Sequence, residues 1–176
     1  MEKSKTDVVS IKIDDELKKK LREESELKQV NLNTLINQVL SKHVGWDEVG
    51  NKMGWMFLTK RSMGAFLAPL DKNSIISIAE TVGKEEFRNS VQFAYGRVDY
   101  DSAIRFMETW LQNTETKYSH MYDLNQNKYI IQHEFGKNWS IYFITTLDSL
   151  FQDLGFKFTE QIADDLSCSF QIEKVF

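Results

Sequence analysis

The stretch Val8–Val9–Ser10–Ile11–Lys12–Ile13, followed by Asp14–Asp15–Glu16–Leu17–Lys18–Lys19–Lys20–Leu21, decides the reading of the N-terminal part of the chain. Its first six residues are rich in β-branched side chains and alternate in character. Side chains along a strand point to opposite faces in turn, so Val9, Ile11 and Ile13 share one face and Val8, Ser10 and Lys12 the other. Asp14 suits a helix N-cap, and Asp15 and Glu16 place negative charge in the first turn, where the helix dipole favours it. The spacing predicts a helix to about Lys28, with Leu17 and Leu21 four apart and Leu27 continuing the apolar side less regularly. Asn31 is a good cap for a second helix, whose Leu32, Leu35, Ile36, Val39 and Leu40 form one stripe. Gly45 is expected to end that helix in a left-handed conformation.

Residues 1–45 in this pattern are too few to bury a full core alone. The strand has no sequence-adjacent partner, so its apolar face and its backbone groups both need company. The simplest arrangement is a second copy: two strands pair antiparallel across a two-fold axis and four helices cover one side. The dimer core then comprises Val9, Ile11, Ile13, Leu17, Leu21, Leu35, Ile36 and Val39. The other side of the ribbon displays Ser10 and Lys12 from each chain. A two-stranded ribbon fits the major groove of B-DNA, where all base pairs are distinguishable.

Residues 8–44 resemble a ribbon-helix-helix DNA-binding domain of the bacterial and archaeal repressor type. The resemblance is carried by the alternating strand, by Asp14–Leu21, and by Asn31–Leu32–Asn33–Thr34–Leu35–Ile36. In that family a short polar residue precedes the second helix, often after a turn glycine two positions earlier. Here Asn31 keeps the cap in kind, while Gln29 stands at the glycine position. The resemblance implies base contacts from Val8, Ser10 and Lys12, with Val8 offering only apolar contact, for example to a thymine methyl. It also implies phosphate contacts at the start of the second helix, near Asn31, Asn33 and Thr34. An anion there also follows from the helix dipole and the free N–H groups. Lys3 and Lys5 form a mildly basic tail that extends the phosphate contacts. The implied partner is a palindromic operator in double-stranded DNA, bound by a homodimer or a higher oligomer. The same fold serves as the DNA-binding half of antitoxins, whose extensions wrap a toxin.

The whole chain has 176 residues, a net charge of -4 and 22 aromatic residues, none of them before Trp46. So sharp a shift suggests two units, residues 1–45 and residues 46–176. The first carries a net +1 and the rest a net -5, so the acidity belongs to the second unit. Net acidity argues against broad nucleic-acid affinity without excluding a small DNA-reading module. One cysteine, Cys168, excludes an intrachain disulfide framework and fits a reducing compartment. No apolar run approaches the roughly 20 residues needed to span a bilayer, and nothing near Met1 reads as a signal peptide. A cytoplasmic protein without membrane contact is expected.

The second unit reads as α+β. Trp46, Val49 and Met53 fall near helical spacing, and Trp55–Met56–Phe57–Leu58 reads as a connector that packs hard. Thr59, Asp71, and Asp99 or Asp101 are helix caps, with a further helix over Glu85–Tyr95. The period then changes. Lys117–Leu124 and Lys128–Phe135 alternate around a turn at Asn125–Gln126–Asn127. A helix is expected over Asn138–Leu154, stopped by Gly155, and two more strands over Phe156–Ile162 and Leu166–Ile172. The result is a ββαββ unit behind a helical front. It loosely resembles uncharacterised C-terminal domains attached to ribbon-helix-helix segments in archaeal regulators, and that likeness names no ligand.

No catalytic constellation stands out: there is no Gly-rich phosphate loop and no His-Glu-x-x-His pair. His120, His133 and Cys168 lie on different expected strands and are weak evidence for a metal, so neither metal nor cofactor is expected. His133, Trp139 and Tyr142 are the candidates for a pocket or an interface, while a hydrogen-bonded histidine and a core indole explain the first two equally well. The expected function is a dimeric transcriptional regulator, such as a repressor, and not an enzyme. Its C-terminal domain senses a small molecule or mediates assembly. The alternative is an antitoxin-like interaction module that holds a protein partner.

Overall fold

The structure, a computed structural model, describes residues 7–122 and 127–175. The chain divides into two units, Met1–Glu48 and Val49–Phe176.

In the first unit, α1 (Asp15–Leu27) starts at Asp14, whose carboxylate accepts from the N–H groups of Glu16 and Leu17. The helix ends in a Schellman turn: the N–H of Val30 donates to the Ser25 carbonyl and that of Gln29 to the Glu26 carbonyl. The residue after the cap must then take positive φ, and Gln29 does so at 54°. Gln29 therefore performs the glycine's task with a side chain attached. Asn31 caps α2 (Leu32–Lys42), its side-chain oxygen accepting from the N–H of Thr34 at 2.8 Å. Leu35 and Ser25 are buried between these two helices, whereas Val39 and Leu40 remain exposed. Gly45 does not stop the helix. It lies inside a π-helical turn, His43–Asp47, closed by the Glu48 N–H on the His43 carbonyl. The chain keeps turning there because the wider i→i+5 bond carries it past the glycine, and Trp46 is buried.

Helix α3 (Glu48–Met53) begins at the boundary, and α4 (Lys60–Leu67), α5 (Lys72–Ile78), α6 (Lys84–Tyr95) and α7 (Tyr100–Asn113) follow it in the second unit. Thr59 and Asp71 cap α4 and α5, and Asp99 forms a reciprocal capping box with Ser102 on α7. The Asp71 and Asp99 carboxyls are held below the usual carboxylate range, chiefly by these hydrogen bonds to Ser74 and Ser102. A π-helical turn, Ala79–Gly83, joins α5 to α6. Met56 and Phe57 are 81% and 97% exposed, so the segment read as a hard-packing connector lies on the surface; its Trp55 ring is half-buried, edge-on to Phe106. Leu58 is also exposed, and Gly54 takes a left-handed φ of 73° just before the run.

Strands β1 (Lys117–Tyr122) and β2 (Asn127–Gln132) precede α8 (Lys137–Asp153), and β3 (Phe156–Ala163) and β4 (Ser167–Lys174) follow it. The expected turn at residues 125–127 lies partly outside the described residues, and Asn127 itself opens β2. The sheet is antiparallel throughout, in the order β1–β2–β4–β3. The two hairpins thus join through β2 and β4, with Tyr129 opposite Phe170 and Ile131 opposite Cys168. These four side chains, with Phe158 and Ile172, form the buried face against α8. Mixed α+β architecture with a ββαββ order is therefore observed. No helix among the described residues is long and apolar enough to cross a membrane.

Replacing Gln29 by glycine tests the turn. A side chain in the left-handed region costs about 1–2 kcal/mol, partly offset because glycine is freer in the unfolded chain. Gln29→Gly is expected to raise the stability of the first unit by up to about 1 kcal/mol, read as a higher urea midpoint. A lower midpoint would contradict the assigned turn.

Candidate nucleic-acid interface and the aromatic cluster

Residues 7–14 adopt no regular secondary structure, and Val8, Val9 and Ile11 are 91%, 78% and 58% exposed. The segment pairs with no other strand among the described residues, so the expected ribbon is not formed within one chain. Ser10 and Lys12 are exposed, and Ile13 is half-buried. Of the expected dimer core, only Leu35 is buried; Leu21 and Ile36 are half-buried, and Leu17 and Val39 are exposed. Apart from Ile13, the outward and the apolar candidates of this segment are thus alike in being exposed. Lys3 and Lys5 lie outside the described residues.

At the start of α2, Asn31, Asn33 and Thr34 lie together, as expected. The structure adds Asn37, Gln38 and Ser41, and the six line a shallow open groove of about 670 Å³. Positions 34, 37, 38 and 41 are spaced by three and four, which puts them on one helical face. That spacing of uncharged amides and hydroxyls is visible in the sequence, opposite the apolar stripe. Asn31 and Asn37 are partly committed to the helix itself, Asn31 as the cap and Asn37 through its amide on the Asn33 carbonyl at 2.8 Å. Lys20 and Lys28 pair with Glu16 and Glu24 one turn away, exposed contacts worth little energy.

The three candidates in the second unit do not gather around one space. His133 and Trp139 are buried, with their rings 4.5 Å apart, and Trp139 stacks between Phe135 and Phe143. Tyr142 lies elsewhere on α8, next to the π-helical turn, where a Cβ on Gly83 would run into its hydroxyl and Thr146 Oγ1. Burial pushes the Tyr142 hydroxyl above the usual tyrosine range.

His133 is spent on structure. The Phe135 N–H donates to its Nδ1 at 3.2 Å, which assigns the ring proton to Nε2. Nε2–H donates to Ser140 Oγ at 2.6 Å, and the Ser140 hydroxyl donates in turn to the Asp164 carbonyl at 2.7 Å. A serine that receives a hydrogen bond from histidine and gives its own proton to a carbonyl is not an activated nucleophile. The relay ties the end of β2, the start of α8 and the β3–β4 turn together.

A second polar group involves α7 and the first hairpin. The Tyr129 hydroxyl donates to Glu108 Oε1 at 2.7 Å, and His120 stacks on the Tyr129 ring at 4.0 Å. His120 Nε2 also meets Asn127 Oδ1 at 2.8 Å, while Asn127 donates to the Tyr100 hydroxyl. Burial first, and the Glu108 contact second, push the Tyr129 hydroxyl far above its ordinary range. Glu108 and Tyr100 were not singled out from the sequence, because only the fold brings α7 over β2. His120, His133 and Cys168 each have separate surroundings, and no three His, Cys, Asp or Glu side chains converge to hold a metal among the described residues. Burial pushes the Cys168 thiol up to about 12.

Comparison with protein-family models, with curated proteins and with solved structures returns no match to this chain.

The His133 relay makes stability depend on pH. Burial lowers the pKa of this imidazole from 6.5 despite the carbonyl of Ser167 and the charge of Asp165, which act the other way. Between the lowered folded value and the unfolded one, the unfolded chain binds more protons. The contribution is therefore present above about pH 6.5 and is lost as pH falls below it. Ser140→Ala removes the acceptor and is expected to cost about 1–3 kcal/mol at neutral pH. Urea unfolding at pH 7.5 and pH 5.5 checks both. A His133→Gln variant as acid-sensitive as the wild type would remove His133 from the explanation.

Proposed function

We propose that the chain is a sequence-specific DNA-binding regulator of transcription that acts as a dimer through its first unit. The observation that carries the reading is the uncovered segment Val8–Ile13. Its Val9 and Ile11 stay exposed beside a two-helix hairpin that buries only Leu35 among its apolar residues. That is half of a hydrophobic core, and a second copy of the same segment supplies the other half in a ribbon. Val8, Ser10 and Lys12 then face the major groove. The uncharged face that begins at Asn31, Asn33 and Thr34 offers neutral donors to phosphate at the positive end of α2. The second unit senses an effector or mediates assembly.

A second reading, an interaction module that holds a protein partner, is favoured by the exposed Met56–Phe57–Leu58 surface. A tightly co-purifying protein would support it over the regulator.

Two substitutions on one strand separate assembly from recognition. Ile11→Asp buries an unpaired carboxylate at the two-fold ribbon and is expected to abolish first-unit dimers, read by sedimentation at several concentrations. Retention of such dimers would refute the ribbon.

Lys12→Ala leaves the helices untouched. It is expected to lose roughly 1–3 kcal/mol per specific base contact and to relax the preferred sequence in each half-site. The test begins with selection on random duplex DNA using the full chain. Wild type and Lys12→Ala are then compared on the recovered palindrome and on a scrambled duplex at two salt concentrations. Equal weakening on both duplexes would reduce Lys12 to a phosphate contact. Equal binding of wild type to both would overturn specific recognition by this segment.

A further inference from the structure

The two edges of the sheet in the second unit are built differently. Edge strand β3 is closed to further pairing. Its Phe158 N–H donates to Asp148 Oδ1 of α8 at 2.8 Å, and its Phe158 carbonyl accepts from the Gln161 side chain at 3.0 Å. Its register is also broken between Thr159 and Ile162, with Glu160 at φ 47°. A bulge, a side-chain cap and a kinked backbone are the devices that stop an edge from recruiting another strand.

Edge strand β1 has none of these among the described residues. Lys117–Tyr122 pairs with β2 in unbroken register, contains no proline, and has no side chain bonded to its backbone. All its residues except Tyr118 are exposed, Met121 at 42% and Tyr122 at 77%. Its outward row of backbone donors and acceptors is a ready template for another strand.

We propose that β1 pairs antiparallel with β1 of a second copy of this chain, so that one sheet runs through two C-terminal units. This deepens the assembly role given above and rests on that reading for the second copy's proximity, since a first-unit dimer raises the local concentration of its tethered halves. The strand is complementary to itself. A two-fold axis through Ser119 sets Lys117 opposite Met121 and Tyr118 opposite His120, with matching faces. Lys117 is the strand's one residue among Lys, Arg, Asp and Glu. The two copies of it would lie about 13 Å apart along the strands, beyond the screening length at physiological salt. A parallel arrangement would instead oppose lysine to lysine.

Ser119→Cys in the full chain tests the pairing. Opposed Cα atoms in an antiparallel pair lie about 4.5–5.5 Å apart, within disulfide range. The native Cys168 does not compete, because it is buried and its thiol is pushed up to about 12. Mild oxidation is expected to give a cross-linked dimer with Ser119→Cys and none with Thr159→Cys on β3. Adding Met121→Lys to Ser119→Cys opposes a second ammonium to Lys117 and is expected to abolish the cross-link while the far-ultraviolet circular dichroism is unchanged. A folded Ser119→Cys chain that sediments as a dimer but does not cross-link overturns the β1 pairing and leaves the DNA reading standing. A cross-link that persists with Met121→Lys, or that forms equally with Thr159→Cys, overturns it as well. A cross-link in a protein without duplex preference supports the pairing and overturns the DNA reading alone.

Discussion

Helix α8 has to be buried on most of its circumference, and the second unit is arranged around that requirement. Its buried residues run from Trp139 through Phe143, Ile144, Leu147, Leu150 and Phe151, and include Ser140 and Thr146. The sheet covers one side through Tyr129, Phe158 and Phe170, and α4, α5 and α6 cover the other. A helix covered on two sides in this way belongs inside a domain, and its few polar residues there need partners. The polar connections follow. Asn138 at the start of α8 donates to the carbonyls of Leu67 and Leu70, and Asp153 at its end receives Lys84 and Arg88 of α6. These cations hold the Asp153 carboxyl below its usual range, with Lys84 contributing most.

The first unit depends on a different constraint. Its helices are capped and joined by local hydrogen bonds, yet they enclose little apolar volume. Local chemistry thus sets the path of the chain, while Val9, Ile11, Leu17 and Val39 stay exposed in the single copy.

Features governed by neighbours in sequence were legible without coordinates. Asp14, Asn31, Thr59, Asp71 and Asp99 are caps because a short acceptor before a helix has one favourable use. The alternation in β1 to β4 was readable for the same reason. Gln29 was recognisable as an exception, though not as a residue that adopts positive φ unaided. What escaped depends on contacts distant in sequence. The β1–β2–β4–β3 order follows from packing two hairpins on one helix. The Asp148 cap on Phe158 and the Glu108–Tyr129 bond exist only once α8 and α7 are laid on the sheet. The exposure of Met56 and Phe57 was misread because an apolar run looks the same whether or not a neighbour is there to cover it. The amide face of α2 was readable as a pattern, lying opposite a stripe of which Leu35 alone is buried.

The contact between the His133 imidazole and the Trp139 indole has an optical consequence. A protonated imidazole quenches an adjacent indole by electron transfer, whereas the neutral ring does so weakly. At 4.5 Å the two rings are close enough for this exchange. Trp110 stacks nearly parallel to Trp139 at 6.1 Å and can pass its excitation to the same indole. Protonation of His133 is therefore expected to dim the share of the emission that comes from Trp139, one of the chain's four tryptophans.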